Sequence, residues 1–194
     1  RKLYHPKNTH SLTLTNNKNK SPPFGLSPRK NLPDVAVTPS EHFNAVLYTG
    51  TGSSNAISVG FQPDLVWMKT RTNTANHAIW DSVRGVHKGL STSSNGAEVT
   101  DSYGLEEFRP DGFETRENTA AAGYSNTGSM VAWCWDMGGS NASNSNGSIT
   151  STVRANPTYG QSIVTWTGNA TASEIKIASN RVNSILLNFI SDLE

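Results

Sequence analysis

Ser129-Met130-Val131-Ala132-Trp133-Cys134-Trp135 is the stretch whose reading decides the fold. In an extended chain alternate side chains share a face, so Val131, Trp133 and Trp135 point one way and Ala132 and Cys134 the other. Both sets are apolar, so both faces can be buried and the segment is placed in the middle of a sheet. A cysteine between two tryptophans in such a strand behaves as a small hydrophobe, not as a thiolate nucleophile.

Shorter segments of the same kind lie on the N-terminal side. Residues 43–48 form a strand closed by the turn 49–55, and residues 56–59 restart it. Gly60-Phe61-Gln62-Pro63-Asp64 is a second turn, followed by the buried-strand pattern Leu65-Val66-Trp67-Met68-Lys69. Residues 78–83 follow the polar loop 70–76, and Asp111-Gly112 predicts a hairpin turn before Phe113. Nothing between residues 35 and 170 has the spacing of a long amphipathic helix. Many short strands with frequent turns predict an all-β antiparallel β-sandwich of the jelly-roll or lectin-like kind. Trp67, Trp133, Trp135, Asp81 and Gly112 are its expected structural residues.

The domain is expected to span residues 34–140. Before it, residues 1–33 read as a disordered, basic, linker-like arm, within which Ser21-Pro22-Pro23-Phe24-Gly25-Leu26-Ser27-Pro28 reads as a linker. After it, residues 141–155 are rich in Ser, Asn and Gly and read as a linker. A repeat follows: Val46-Leu47-Tyr48-Thr49-Gly50 returns as Val164-Thr165-Trp166-Thr167-Gly168, and Pro39 as Pro157, each 118 residues later. Residues 156–173 are therefore expected to begin a truncated second copy, with Ile163, Val164 and Trp166 left unburied. On that reading a chain of residues 34–140 should behave better than one extending further. In the divergent tail, 174–194, Val182, Ile185, Phe189 and Leu193 fall at helical spacing.

Composition narrows the function. Hydrophobic residues make up 35% of the 194-residue chain and charged residues 16%, with small polar residues filling the difference, which suits turns and exposed strand faces. No apolar run approaches the roughly 18 residues of a membrane span. The single cysteine, Cys134, excludes an internal disulfide. Residues 1–20 contain no apolar signal-peptide core, and a chain opening on Arg1 reads as part of a longer one. Seven of the 16 basic residues precede Asp34, leaving nine bases against all 15 acids, a net −6 for the body. The basic arm is read as solvated chain and not as a nucleic-acid contact.

No catalytic constellation emerges. Glu106 and Glu107 are adjacent, so on a strand they face opposite ways and make no acid–base pair. The five histidines lack zinc-ligand spacing. Asp101 and Asp111 could offer oxygens to calcium, but no EF-hand-like pattern accompanies them, and neither metal nor cofactor is expected. Gly50 and Gly52 precede neither a helix nor a lysine, so no phosphate loop is expected. The residues singled out for ligand contact are Trp80, expected to be exposed beside the polar loop, and Arg84. Within Asp81-Ser82-Val83-Arg84-Gly85, a structural role for Arg84, pairing with a carboxylate to pin the loop, is preferred over ligand binding.

Five ordered blocks carry a family resemblance. They are residues 42–52, residues 59–69, Asp81-Ser82-Val83-Arg84-Gly85, Asp111-Gly112-Phe113 and Val131-Ala132-Trp133-Cys134-Trp135. Together they resemble a repeated domain of marine phage tail and virion structural proteins, over residues 35–172. The resemblance implies a non-enzymatic, tail- or tail-fibre-associated virion module. Its implied partners are other virion proteins, further copies of itself and a host-surface glycan, with assembly in a bacterial cytoplasm. It supplies no catalytic residues. The second expectation is a bacterial lectin-like carbohydrate-binding module.

Overall fold

The computed structural model describes residues 39–100, 102–116, 124–170 and the backbone of 185–188. The arm 1–33, Asp101 and most of the tail after residue 173 lie outside the described residues. A 3-10 turn, Pro39–Glu41, leads into thirteen strands among those described. They are β1 (Phe43–Thr51), β2 (Asn55–Ser58), β3 (Leu65–Thr70), β4 (Ala78–Asp81), β5 (Lys88–Ser91), β6 (Val99–Thr100) and β7 (Leu105–Arg109). β8 (Gly112–Thr115), β9 (Thr127–Trp135), β10 (Ala142–Asn144), β11 (Ser151–Asn156), β12 (Gln161–Trp166) and β13 (Ile185–Asn188) follow.

The strands form three sheets. The largest has the order β1-β9-β3-β4-β5-β6 with every neighbour antiparallel. β9 therefore lies inside the sheet, as its two apolar faces predict. Its Met130, Ala132 and Cys134 side joins Val66 and Met68 of β3 and Ala78 and Trp80 of β4. Those residues pack against Ile57, Leu105 and Phe113 from the second sheet, β2-β8-β7. The two layers make the expected antiparallel sandwich. Its interior also holds a polar contact: the Tyr48 and Tyr124 hydroxyls lie 3.0 Å apart, and Tyr48 donates to the Met68 sulfur at 3.4 Å. Burial raises both phenol pKa values.

The hairpin expected at Asp111-Gly112 is shifted by one residue. Arg109 pairs with Gly112, so the loop is Pro110-Asp111 and Gly112 opens β8. Glycine is required there by proximity: a Cβ would lie 1.9 Å from the Ile57 carbonyl oxygen on the neighbouring strand.

The stretch 141–155, read as a linker, instead carries β10 and most of β11. These strands pair antiparallel with each other and with β12, and β13 adds to β12 in parallel. A polar run can form strands because ladder hydrogen bonds come from the backbone, while Val153 alone supplies the apolar anchor. Helical spacing in the tail is not realised at 185–188, where the short apolar run is a strand; such runs are ambiguous by periodicity alone. After β9 the chain turns at Gly138 and Gly139, both left-handed with φ of 60° and 58°, and the third sheet meets the outer face of the first. There Ile163 of β12 packs with Leu65, Ile79 and Met137.

This overturns the expectation that Ile163 and Val164 are left bare: both are fully buried, and Trp166 is half-buried. The boundary at residue 140 cuts through a packed joint. A chain of residues 34–140 is expected to melt at least about 5 °C below one of residues 34–170, since losing one buried aliphatic side chain costs about 1.5–3 kcal/mol. Calorimetry of the two chains checks this; an equal or higher Tm for the shorter one would restore the earlier boundary.

Candidate interaction surface

The outer face of the six-stranded sheet collects the aromatic residues that strand alternation turns away from the sandwich. Cross-strand register places Phe43, Trp135 and Leu65 in one row and Ala45, Trp133, Trp67 and Ile79 in the next. Ring centroids of Phe43 and Trp135 are 5.1 Å apart, and those of Trp67 and Trp133 are 5.2 Å apart, both tilted. The Trp67 indole N–H donates to Thr92 Oγ1 at 3.0 Å, which fixes the ring plane. Trp67, Trp133 and Trp135 are each half-buried. On β1, Phe43 is 38% and Leu47 67% exposed, and Ala45 between them is also exposed. The sheet thus presents an apolar, aromatic strip at its β1–β9 side. Such surface can take a sugar ring or a protein face, because aromatic side chains join apolar area to a polar edge.

Beside the strip, polar groups tie the third sheet down. The Asp64 carboxylate accepts hydrogen bonds from Ser82 Oγ at 2.8 Å and the Met137 N–H at 3.0 Å, and Arg154 Nε lies 2.9 Å from it. Burial raises the Asp64 pKa; the Ser82 hydrogen bond, the Arg154 charge and the Met137 N–H pull it down less strongly. Nearby, His42 Nδ1 is 2.6 Å from Asp136 Oδ2, and the imidazole stacks on Tyr159 at 3.6 Å between centroids. The arrangement resembles a catalytic dyad, but its second neighbour is an aromatic ring and not a nucleophile. Its evident work is to join β1, β9 and the turn between β11 and β12.

Of the residues singled out for ligand contact, Trp80 is corrected. It is 2% exposed and packs edge-on against Tyr124 with centroids 5.4 Å apart. A polar loop precedes it, but β4 is buried on both sides. Arg84 pins its own loop: Nε pairs with Asp81 Oδ2 at 2.6 Å and Nη1 with Glu98 Oε2 at 3.0 Å. Asp81, fully buried, also accepts the Val83 and Arg84 backbone N–H groups at 3.0 and 2.9 Å. Trp80 and Arg84 are therefore not brought to a common surface. Glu106 pairs with Arg116 at 3.3 Å and Glu107 with Arg109 at 3.4 Å, both on the three-stranded sheet. Burial pushes the Cys134 thiol up to about 12, so it is protonated at neutral pH. A cleft of about 300 Å³ lies between β2 and the β7–β8 turn, lined by Ile57, Ser58, Arg109 and Asp111; Ser58 already donates to Asp111 across it. Among the described residues, no three His, Cys, Asp or Glu side chains are grouped to hold a metal ion, and no helix is long and apolar enough to cross a membrane.

The residues missed by sequence reading are Asp64, Arg154, His42, Asp136 and Tyr159. Their partners lie far apart in the chain, and no local pattern signals them. The exposure of Leu47 was readable from its alternation with Val46 and Tyr48.

A family profile described as a domain of unknown function, DUF7483, matches residues 38–188, a span running from just before β1 to the end of β13. No curated protein and no solved structure gives a significant match.

The buried Asp64 carboxylate sets a pH dependence. Its folded pKa is raised above the ordinary 3.8, so the folded state holds the proton more tightly. The stability this confers is present in acid and declines as pH rises from the ordinary value through the folded one. The stability of the native chain relative to D64N is expected to fall as pH rises past the ordinary carboxylate value of 3.8, measured by urea unfolding. A difference that rises with pH would mean that the Arg154 charge outweighs burial.

Proposed function

Since the chain belongs to the family described as a domain of unknown function, DUF7483, we propose from the molecule's own surfaces that it is a non-enzymatic virion structural module, associated with a phage tail or tail fibre. The observation that carries this reading is the half-exposed aromatic strip of Phe43, Trp133, Trp135 and Trp67 on a sheet held rigid by burial of its other face. Rigid, flat, apolar surface on a polar, turn-rich body suits contact with another surface. The resemblance of five sequence blocks to repeated domains of phage tail proteins supplies the setting: other virion proteins as partners, assembly in the bacterial cytoplasm, and the tail as the final location. Antibody labelling of purified particles in the electron microscope tests it. Label concentrated on the tail is the expected result, and absence of the protein from particles overturns the proposal.

A second reading, a lectin-like carbohydrate-binding module, is favoured by the Trp67–Trp133 pair, since tilted indoles at a sheet surface offer a platform for a pyranose ring. The same platform would serve a tail protein touching a host-surface glycan. On a glycan array the native chain is expected to retain a ligand that Trp133→Ala loses by about five- to tenfold, the worth of one aromatic contact of about 1–1.5 kcal/mol. No retention at millimolar glycan removes this reading and leaves the structural one.

A further inference from the structure

The joint between the third sheet and the first repeats a relation that β1 leaves unfulfilled. At the offset of 118 residues, β12 is the counterpart of β1: Gln161 stands for Phe43, Ile163 for Ala45, Val164 for Val46 and Thr165 for Leu47. In β1 the side facing away from the sandwich is Phe43, Ala45 and Leu47, because Val46 and Tyr48 face the core. Its counterpart on β12 is the Ile163 side, shared with the cross-strand neighbour Arg154. That side of β12 is covered. Ile163 is fully buried among Leu65, Ile79 and Met137, and Arg154 meets Asp64. A strand that carries the sequence pattern of β1 is therefore seated on the outer face of the large sheet. The same side of β1, with Phe43 38% and Leu47 67% exposed, has no cover among the described residues and is more apolar than the side that is seated.

We infer that Phe43, Ala45 and Leu47 form a docking strip for another copy of this same module, which receives it on its Leu65–Ile79–Met137 face. Successive copies then stack head to tail, each leading strand on the sheet of the copy before. The relation is heterologous, with donor and acceptor at different places on one face. It adds copies in an open row and does not close a dimer. The inference rests on the repeat and on the burial of Ile163, and it holds whether or not the module belongs to a virion. In the chain itself the acceptor face is already filled by β12, and a tethered strand outcompetes a free one because its effective concentration is in the millimolar range. The intact chain is therefore expected to be monomeric, with its donor strip idle.

Vacating the acceptor exposes the relation. Light scattering coupled to gel filtration is applied to the native chain, to I163D and to R154E, each with and without L47D. Near-UV circular dichroism of the Trp80–Tyr124 core reports folding. The expected result is a monomer for the native chain, at least a doubling of mass with rising concentration for I163D and R154E, and a return to monomer when L47D is added. Association that survives L47D, or a folded I163D or R154E that stays monomeric, overturns the proposal. So does loss of fold in both single variants, which would make the acceptor face inseparable from its own β12. Association of the native chain that L47D leaves intact overturns it as well.

Discussion

The rest of the molecule depends on one strand that carries apolar side chains on both faces, fully buried on one and half-buried on the other. β9 is hydrogen-bonded to β1 and to β3 along its length, and its two faces meet different partners. Met130, Ala132 and Cys134 are fully buried against the three-stranded layer. Trp133 and Trp135, one residue out of phase, carry the outer surface. A slip of one residue in either ladder would send indoles into a space shaped for an alanine and a thiol, so the register is fixed by volume as well as by polarity. The sheet can then serve as the middle of three layers, with the β2-β8-β7 sandwich partner on one side and the β11–β12 hairpin on the other.

The two joints use different physics. Between the first two layers the contact is mostly apolar, with the Tyr48–Tyr124–Met68 group and the Asn44 amide, which donates to the Val59 carbonyl at 2.8 Å, as satisfied polar exceptions. Between the first and third, one buried isoleucine is accompanied by an aspartate that collects Ser82, Met137 and Arg154, and by His42 held between Asp136 and Tyr159. Buried charged groups bring specificity more readily than strength, because desolvation offsets much of their attraction. The apolar joint holds the fold together; the polar one fixes where the hairpin sits.

How much of this was legible follows the range of the interaction concerned. β3 and β9 were read from alternation, and the loop-pinning role of Arg84 from neighbouring letters without its partners Asp81 and Glu98, because the physics acts within one strand or one turn. Trp80 was misplaced because exposure was inferred from the polar loop before it, whereas burial is set by strands from distant parts of the chain. The strands at 142–144 and 151–156 were hidden by Ser and Asn, whose side chains favour turns while their backbone pairs like any other. The repeat was recognised in the letters. What it meant was not, since the seating of Ile163 involves Leu65, Ile79 and Met137, and no periodicity links them.

Gly138 and Gly139 give the corner after β9 a handedness that other residues resist, since a side chain in that left-handed region costs about 1–2 kcal/mol at each position. Between β10 and β11, at residues 145–150, the small polar turn can lengthen or shorten at little expense, because loop closure depends only weakly on length. Sequence drift is therefore penalised unevenly: strongly at two adjacent letters, lightly across the turn at 145–150. The direction in which the chain leaves its large sheet is inherited from those two letters and not from the length of the segment after them.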